Sequence, residues 1–298
     1  MGIRETDIWR CGIVQAPLAQ IMAAGSLAPF PLHWLPEEPS LCFLADPFGF
    51  WHDGHLHVFA EHYDYRTRKG RIKVLVLDSQ FAVLEQRVVL EEPWHLSYPV
   101  VFAAEGEIWM LPEGYKSGRL SLYRARQFPW QWEAVPGFDF PCAAIDASPL
   151  QVDGRWWMFY TPPAAGGRTR TLQIAVADRL LGPWQDIAAQ PVRADVRGSR
   201  MGGTPLLLDG QLVLPAQDCQ QTYGGAIRLL RTAWPFSGVP ELVAEACLGP
   251  TPAFGDYQDG LHTLSAAGEV TLIDAKRILR HSPRRLLVEL GRLLRRRD

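Results

Sequence analysis

The stretch DPFGFWHDGHLHVFAE, residues Asp46–Glu61, decides the fold. It consists of two runs in which apolar and polar residues alternate, separated by the dipeptide Asp53-Gly54. Asp-Gly between two such runs is a strong signal for a β-hairpin, because glycine accepts the positive φ that a tight turn requires. The stretch therefore predicts two antiparallel strands, with Asp46 standing directly before a proline at the start of the first.

The same pattern recurs along the chain. Similar segments begin at Tyr98, Ser148 and Thr204, and a weaker one begins at Leu261. A third strand-like run follows most of these hairpins, as in GRIKVLVLD, and a fourth often comes after it. The turn glycines lie 52, 48, 56 and 58 residues apart and are Gly54, Gly106, Gly154, Gly210 and Gly268. Three to four antiparallel strands repeated about every 50 residues are typical of a β-propeller blade.

Five such units fill the chain, so the sequence predicts an all-β fold, a single five-bladed β-propeller with a short basic helix at its C-terminal end. A large β-sandwich is the alternative, but it does not explain the even spacing. We expect the propeller to occupy residues 41–280. Residues 1–40 form an irregular N-terminal extension, which we consider as the source of a strand that closes the propeller.

Residues 281–298 are predicted to form a basic amphipathic helix. Leu286, Leu290, Leu293 and Leu294 recur at helical spacing, and six arginines stand between Arg284 and Arg297. Such a helix can lie on an anionic membrane surface. A solvated tail or a protein contact explains the pattern equally well, and both alternatives stay open.

Composition narrows the function classes. The formal net charge of −2 over 298 residues argues against a nucleic-acid partner, and eleven tryptophans supply aromatic surface on which a sugar ring can lie. Five scattered cysteines without a CxxC, together with an N-terminus that lacks a signal-peptide pattern, favour reduced thiols and a cytoplasmic location, with the inner membrane surface as a peripheral site. No phosphate-binding or dinucleotide-binding motif occurs, so we expect no cofactor.

In a propeller the first strand of each blade lines the central channel, so the residues that begin those strands converge on one mouth. The residue before each proline is therefore a candidate: Asp46, Tyr98, Ser148 and Thr204. Asp146 stands two residues before Ser148, between apolar residues. A buried carboxylate is costly unless it is paired or used, and so Asp146 is a second candidate for chemistry.

The segments ADPF, AIDASPLQVDG and AVADRLLGPW resemble the five-bladed glycoside hydrolases of family 43 and their relatives. The resemblance implies that Asp46 is a general base and that Asp146 tunes the pKa of the acid. That family carries its general acid, a Glu, at the start of the fourth blade, where this chain reads VRGSRMGGTPLLLDG without a carboxylate before Asp209. Because glycoside hydrolysis uses two carboxylates, Glu113 is the substitute acid that we consider.

Glu113 has counterparts in two other blades by position, which we assign as Glu61 and Asp218. The segment PAQDCQQTYGG is polar where a strand pair should be apolar, which indicates that its side chains line a binding site. We therefore expect substrate contacts from the rim and from this segment, namely Tyr98, Arg200, Gln217, Asp218, Tyr223 and His262. The resemblance also places His262 at a position that holds a channel metal ion or water in some family 43 enzymes, but we expect no resident metal.

The set FLADPF, HLSYPVVF, MLPEGY, PAQDCQQTYGGAI and GLHTLS is still more similar to the propeller domain at the N-terminus of plant glucosamine inositolphosphorylceramide transferases and of bacterial proteins, some joined to formyltransferase-like domains. Together the resemblances imply a glycosidase-like propeller that acts on or binds a glycan or sugar conjugate. The alternative is a non-hydrolytic module that binds a glycan or glycolipid beside a glycosyltransferase or formyltransferase.

Overall fold

A computed structural model describes residues 5–164, 168–280 and 282–288. Those residues form five antiparallel sheets. The chain opens with β1 (Thr6–Val14), α1 (Leu18–Ala24) and β2 (Leu32–Trp34). The first blade follows, with β3 (Cys42–His52), β4 (His55–Asp64), β5 (Lys69–Leu77) and β6 (Val83–Leu90). The second blade contains β7 (Ser97–Ala104), β8 (Glu107–Glu113), β9 (Tyr123–Gln127) and β10 (Gln131–Ala134), with a 3-10 turn at Tyr115–Ser117.

The third blade contains β11 (Ile145–Val152), β12 (Arg155–Thr161), β13 (Thr171–Ala177), β14 (Gln185–Asp186) and β15 (Arg193–Ala194). The fourth contains β16 (Arg197–Met201), β17 (Leu206–Leu208), β18 (Gln211–Asp218), β19 (Ala226–Ala233) and β20 (Val243–Leu248). A 3-10 turn at Pro252–Phe254 precedes β21 (Leu264–Ala267) and β22 (Val270–Leu279). Residues 283–288 form a short C-terminal helix, α2. The predicted all-β five-bladed propeller with a short C-terminal helix is confirmed.

The fifth blade is built from both ends of the chain. Its strand order is β2-β1-β22-β21, and β1 pairs with β22 along its whole length, from Thr6 opposite Leu279 to Val14 opposite Thr271. Two strands from within the first 40 residues are therefore the outer strands of this blade. Closure of a ring by hydrogen bonding between distant segments removes two exposed sheet edges.

Apolar clusters fill the spaces between adjacent blades. Between the first and second blades, for example, Phe59 and Val74 pack with Met110 and Tyr123. The alternation seen in the sequence explains this arrangement, since successive side chains of a strand point to opposite faces of its sheet and each blade is covered on both faces. The apolar faces therefore fix the angle between blades and leave the strand starts to face the axis.

Only part of the predicted C-terminal helix falls within the described residues. Leu286 and Leu287 are exposed on it, while Leu290, Leu293, Leu294 and Arg297 lie outside the described residues. Over the part of the chain that the structure describes, no helix combines the length and apolarity needed to cross a membrane. The expected membrane or protein contact of this helix, and the expected cytoplasmic location, stay predictions.

Gly203 gives a direct test of the packing at the axis. Its φ is +140°, and a Cβ built on it would stand 1.9 Å from the carbonyl oxygen of Leu264. We expect Gly203→Ala to lower the free energy of unfolding by about 3 kcal/mol, because both the backbone conformation and the contact oppose a side chain. Urea unfolding measures the change. Gly249→Ala is the control, since nothing lies within 4 Å of a Cβ there; equal losses in the two variants would contradict the argument.

Candidate functional site

A cavity of about 540 Å³ lies at the centre of the ring. Its wall includes residues from every blade: Asp46 from the first, Glu113 from the second, Arg168 from the third, Arg200 from the fourth and His262 from the fifth. These residues are far apart in sequence and meet only because the blades are arranged around one axis. The cavity therefore has the position expected of a site in a propeller.

The first strands of three blades share one backbone feature. Asp46, Tyr98 and Asp146 have φ values of 49°, 47° and 49°, a conformation that residues other than glycine rarely adopt. Each lies at a bulge, where the pairing of β3, β7 and β11 with the next strand shifts register. The blade-three counterpart of Asp46 is therefore Asp146 and not Ser148, because the proline of that blade stands two positions further on.

Asp46 is held on several sides. Its backbone N–H donates to Asp274 Oδ2 at 2.8 Å, and its own carboxylate accepts from the Tyr98 N–H at 3.3 Å and from Thr263 Oγ1 at 3.2 Å. His262 Nε2 lies 3.5 Å from Asp46 Oδ1. Burial raises the pKa of Asp46 to about 6, although the nearby His262 opposes the shift. The carboxylate is thus ionised at neutral pH and fixed in position.

A second aspartate orients His262. Asp274 is fully buried, and its Oδ2 lies 2.7 Å from His262 Nδ1, while its Oδ1 accepts the backbone N–H groups of His262 and Thr263. Burial favours a neutral ring, but the charges of Asp274, Asp46 and Asp146, together with the hydrogen bond to Asp274, outweigh it and raise the pKa of His262. Trp9 stacks on the imidazole with ring centroids 3.7 Å apart. The imidazole of His262 is consequently fixed in position beside Asp46, and its surroundings favour the protonated form.

Arg200 connects Asp146 and Glu113. Its Nε and Nη2 donate to the two oxygens of Asp146 at 2.5 and 3.1 Å, and the same Nη2 lies 3.6 Å from Glu113 Oε2. Gln217 Nε2 donates to Asp146 as well, at 3.0 Å. Asp146 is 1% exposed, and this bidentate pair supplies the compensation that a buried carboxylate needs. Tyr223 lies against Arg200, with the guanidinium carbon 5.3 Å from the ring centroid.

Glu113 ends β8, seven positions after its turn glycine. The residues at this position in the other three hairpins of the first four blades are Glu61, Thr161 and Gln217. Gln217, and not Asp218, is therefore the blade-four counterpart of Glu113. Asp218 accepts from Arg228 Nε at 2.9 Å and lines a different cavity.

The Glu113 carboxyl group is buried and incompletely paired. Its Oε1 has no hydrogen-bond partner among the described residues, and the residue is 4% exposed. Burial, followed by the charge of Asp146, raises the pKa of Glu113 to about 7, against the opposing effect of Arg200. A carboxyl group with such a pKa holds a proton for part of the time at neutral pH, which is what a general acid requires.

Glu61 shares the wall with Glu113. Burial raises its pKa well above the ordinary value. Its neighbour His95 lies with Nε2 3.5 Å from Glu61 Oε1, while His95 Nδ1 accepts the backbone N–H of Gly70 at 2.9 Å. Burial also lowers the pKa of His95 to about 4, so the ring is neutral with its proton on Nε2. His95 therefore contributes a polar but uncharged group to this part of the wall.

The predicted site residues fall into three groups. Arg200, Tyr223 and His262 line the cavity, as do Asp46 and Glu113. Tyr98 is fully buried, and its hydroxyl oxygen accepts the Gly203 N–H at 2.7 Å and lies 2.9 Å from Ser148 Oγ. Asp146, Gln217 and Tyr98 thus lie behind the wall and support it, and Asp218 lies apart.

The cluster of Asp46, His262 and Asp274 offers three ligand atoms within 4.8 Å of one another. However, both Asp274 oxygens already accept hydrogen bonds, from the N–H groups of Asp46, His262 and Thr263 and from the imidazole of His262. A metal ion would have to displace these donors. We therefore treat the cluster as a hydrogen-bonded unit, and the absence of a resident metal stays a prediction.

Sequence reasoning overlooked Asp274, although its signal was present. Asp274 stands between Ile273 and Ala275 in an apolar strand, which is the same pattern that singled out Asp146. Asp7, Trp9 and Arg285 were overlooked as well. These three reach the cavity through closure of the ring and through the C-terminal helix, which the repeat does not predict.

Five blades around a polar axial cavity define a class of protein, the five-bladed β-propellers of which several glycoside hydrolases are members. The GH43_1 enzyme from Xanthomonas citri matches with a TM-score of 0.59 and 14% identity, over 81% of this chain and 89% of that one. A GH43 β-xylosidase/α-arabinofuranosidase from a compost microbial metagenome gives a TM-score of 0.56 at 14% identity, over 80% and 90% of the two chains. At such identities the likeness shows a shared fold.

The chain belongs to the family described as glucosamine inositolphosphorylceramide transferase 1, N-terminal, whose model matches residues 36–234. Among the relatives, the transferase of that name from Oryza sativa subsp. indica is 39% identical over 195 residues, and that from Arabidopsis thaliana is 33% identical over 192. Each alignment covers 63% of this chain, but 26% and 25% of the respective relative. The chain thus matches about a quarter of the length of these transferases, and the predicted resemblance is confirmed.

Proposed function

We propose that the central cavity binds a glycan or sugar conjugate and acts on its glycosidic bond, with Asp46 as general base and Glu113 as general acid. One observation carries the proposal: two buried carboxyl groups, those of Asp46 and Glu113, line one cavity at the axis, where burial raises their pKa values to about 6 and about 7. Two carboxyl groups whose environments give them different protonation at one pH are the usual requirement for glycoside hydrolysis.

Each residue of the site has a separate task in this proposal. Glu113 donates its proton to the leaving glycosidic oxygen, and its unpartnered Oε1 is the atom free to do so. Asp46 accepts a proton from water and is kept in place by Tyr98, Thr263 and His262. Asp146 does not touch the substrate but fixes Arg200, which in turn lies beside Glu113.

A non-hydrolytic, sugar-binding module is the second candidate. It is favoured by Arg200, which occupies the fourth blade where family 43 enzymes are expected to carry their acid, and which already contacts Glu113. If ligand binding strengthened the contact between Arg200 and Glu113, the Glu113 carboxylate would stay ionised and could not donate a proton. The names of the relatives agree with a propeller that presents a sugar conjugate to a transferase.

A screen of aryl glycosides and sugar nucleotides, with the wild type and Asp46→Asn, tests the proposal. We expect turnover of at least one compound by the wild type and a loss of at least about 100-fold in Asp46→Asn. Asp218→Asn serves as the matched control, because that aspartate lies outside the central cavity. Binding without turnover would support the module, and turnover that survives Asp46→Asn would remove Asp46 from the role of base.

A further inference from the structure

Three buried polar atoms without a hydrogen-bond partner line the central cavity within the described ranges. They are Glu113 Oε1, Asp7 Oδ1 and Arg285 Nε. The first belongs to the proposed acid, but the other two have no task in the proposed chemistry. A native protein rarely leaves buried donors and acceptors unpaired, and a bound ligand is one explanation of such atoms.

Asp7 Oδ1 and Arg285 Nε lie along one wall of the cavity, which leads outward from the axis. Trp9 and Asp7 stand two positions apart on β1, so their side chains are on the same face of the strand, about 7 Å apart. Trp9 stacks on His262, next to Asp46, whereas the backbone oxygen of Asp7 accepts the Tyr65 hydroxyl at 2.7 Å. The wall therefore runs from the proposed base to a second group of polar residues.

Arg285 is held in place at the outer end of this wall. Its Nη1 donates to the Glu5 carbonyl oxygen at 2.6 Å and to Thr6 Oγ1 at 3.0 Å. The guanidinium carbon lies 4.4 Å from the ring centroid of Tyr65. The C-terminal helix that carries Arg285 is thus part of the cavity wall, and the Nε–H is left for a ligand.

Resting on the proposed function, we infer that Asp7, Tyr65 and Arg285 form an outer subsite that holds a second, uncharged sugar ring. The unpartnered Asp7 oxygen accepts from a sugar hydroxyl, and the unpartnered Arg285 Nε–H donates to one. The side chains of Asp7 and Arg285 carry opposite charges, an arrangement that suits the hydroxyl groups of an uncharged sugar. The Asp7 carboxylate would repel an anionic group placed next to it. Phe43 and Tyr63 also line this side of the cavity and supply aromatic surface.

Calorimetry on the full chain tests the subsite. The probes are methyl glycosides of monosaccharides, the corresponding disaccharides, and the monosaccharide phosphates. We expect at least one disaccharide to bind about tenfold or more tightly than its monosaccharide. Arg285→Ala and Asp7→Ala should each remove most of that gain while leaving monosaccharide affinity unchanged. Arg284→Ala removes the same charge from the neighbouring position of the helix and should have no effect.

Asp7→Ala leaves the Arg285 contacts with Glu5 and Thr6 in place, so it remains informative if Arg285→Ala weakens the attachment of the helix. Equal affinity for mono- and disaccharides would overturn the subsite and leave the proposed function intact. Preference for a monosaccharide phosphate would also overturn it, in favour of the cations Arg68, Lys116 and Arg168 on the same cavity. Failure to bind any probe would remove the proposed function and the subsite together.

Discussion

Replacing Arg200 with methionine is expected to lower the free energy of unfolding by about 3–5 kcal/mol, because removal of one partner leaves a buried carboxylate uncompensated. The Arg200 side chain is 13% exposed and that of Asp146 is 2% exposed, so the carboxylate has little contact with water that could compensate for the lost guanidinium. Gln217 would remain as a donor to Asp146 but carries no charge. Urea unfolding at neutral pH gives the measurement.

The double variant Arg200→Met with Asp146→Asn separates charge from packing. If the uncompensated charge causes the loss, then Asp146→Asn should recover at least half of it in the Arg200→Met background. Arg155→Met is the control, since Arg155 pairs with Asp178 on the surface and such pairs contribute about 0–1 kcal/mol. A loss in Arg200→Met no larger than in Arg155→Met would show that Asp146 does not depend on Arg200.

Any hydrolytic activity should have a bell-shaped dependence on pH with limbs near 6 and 7. Below about 6 Asp46 becomes protonated and cannot act as base, and above about 7 Glu113 loses the proton that it must donate. Glu113→Gln should lower turnover by about 100-fold to 10,000-fold and abolish the alkaline limb. Glu105→Gln, a change in an exposed turn of the same blade, should alter neither the rate nor the profile.

Glu113→Gln should lower activity but raise stability above neutral pH. The folded protein holds the Glu113 proton more tightly than the unfolded chain does, so the contribution of this group to stability is present below about 4.5 and is lost as pH rises through about 7. Above neutral pH, Glu113→Gln should therefore raise the melting temperature. A variant that loses activity and stability together would indicate a structural role for Glu113.

The local pattern predicted the blades well because each hairpin carries its own turn glycine and alternation. It predicted the register less well. Counting from prolines aligned Ser148 with Asp46, since the sequence does not reveal where the bulge of β11 falls. Gln217, in contrast, could have been found in place of Asp218 by counting seven positions from the turn glycine Gly210. Asp7 and Arg285 could not be found in this way, because they reach the cavity through contacts between the chain ends.

The hydrogen bond from Asp46 to Asp274 joins residues 228 positions apart. The proposed base thus depends on a carboxylate that a ribosome would add only after four blades had been made. Fragments that lack β22 should have intact hairpins but no organised centre. Such dependence on distant partners is also typical of slowly folding proteins. We therefore expect the centre of this domain to become organised only when the ring is complete.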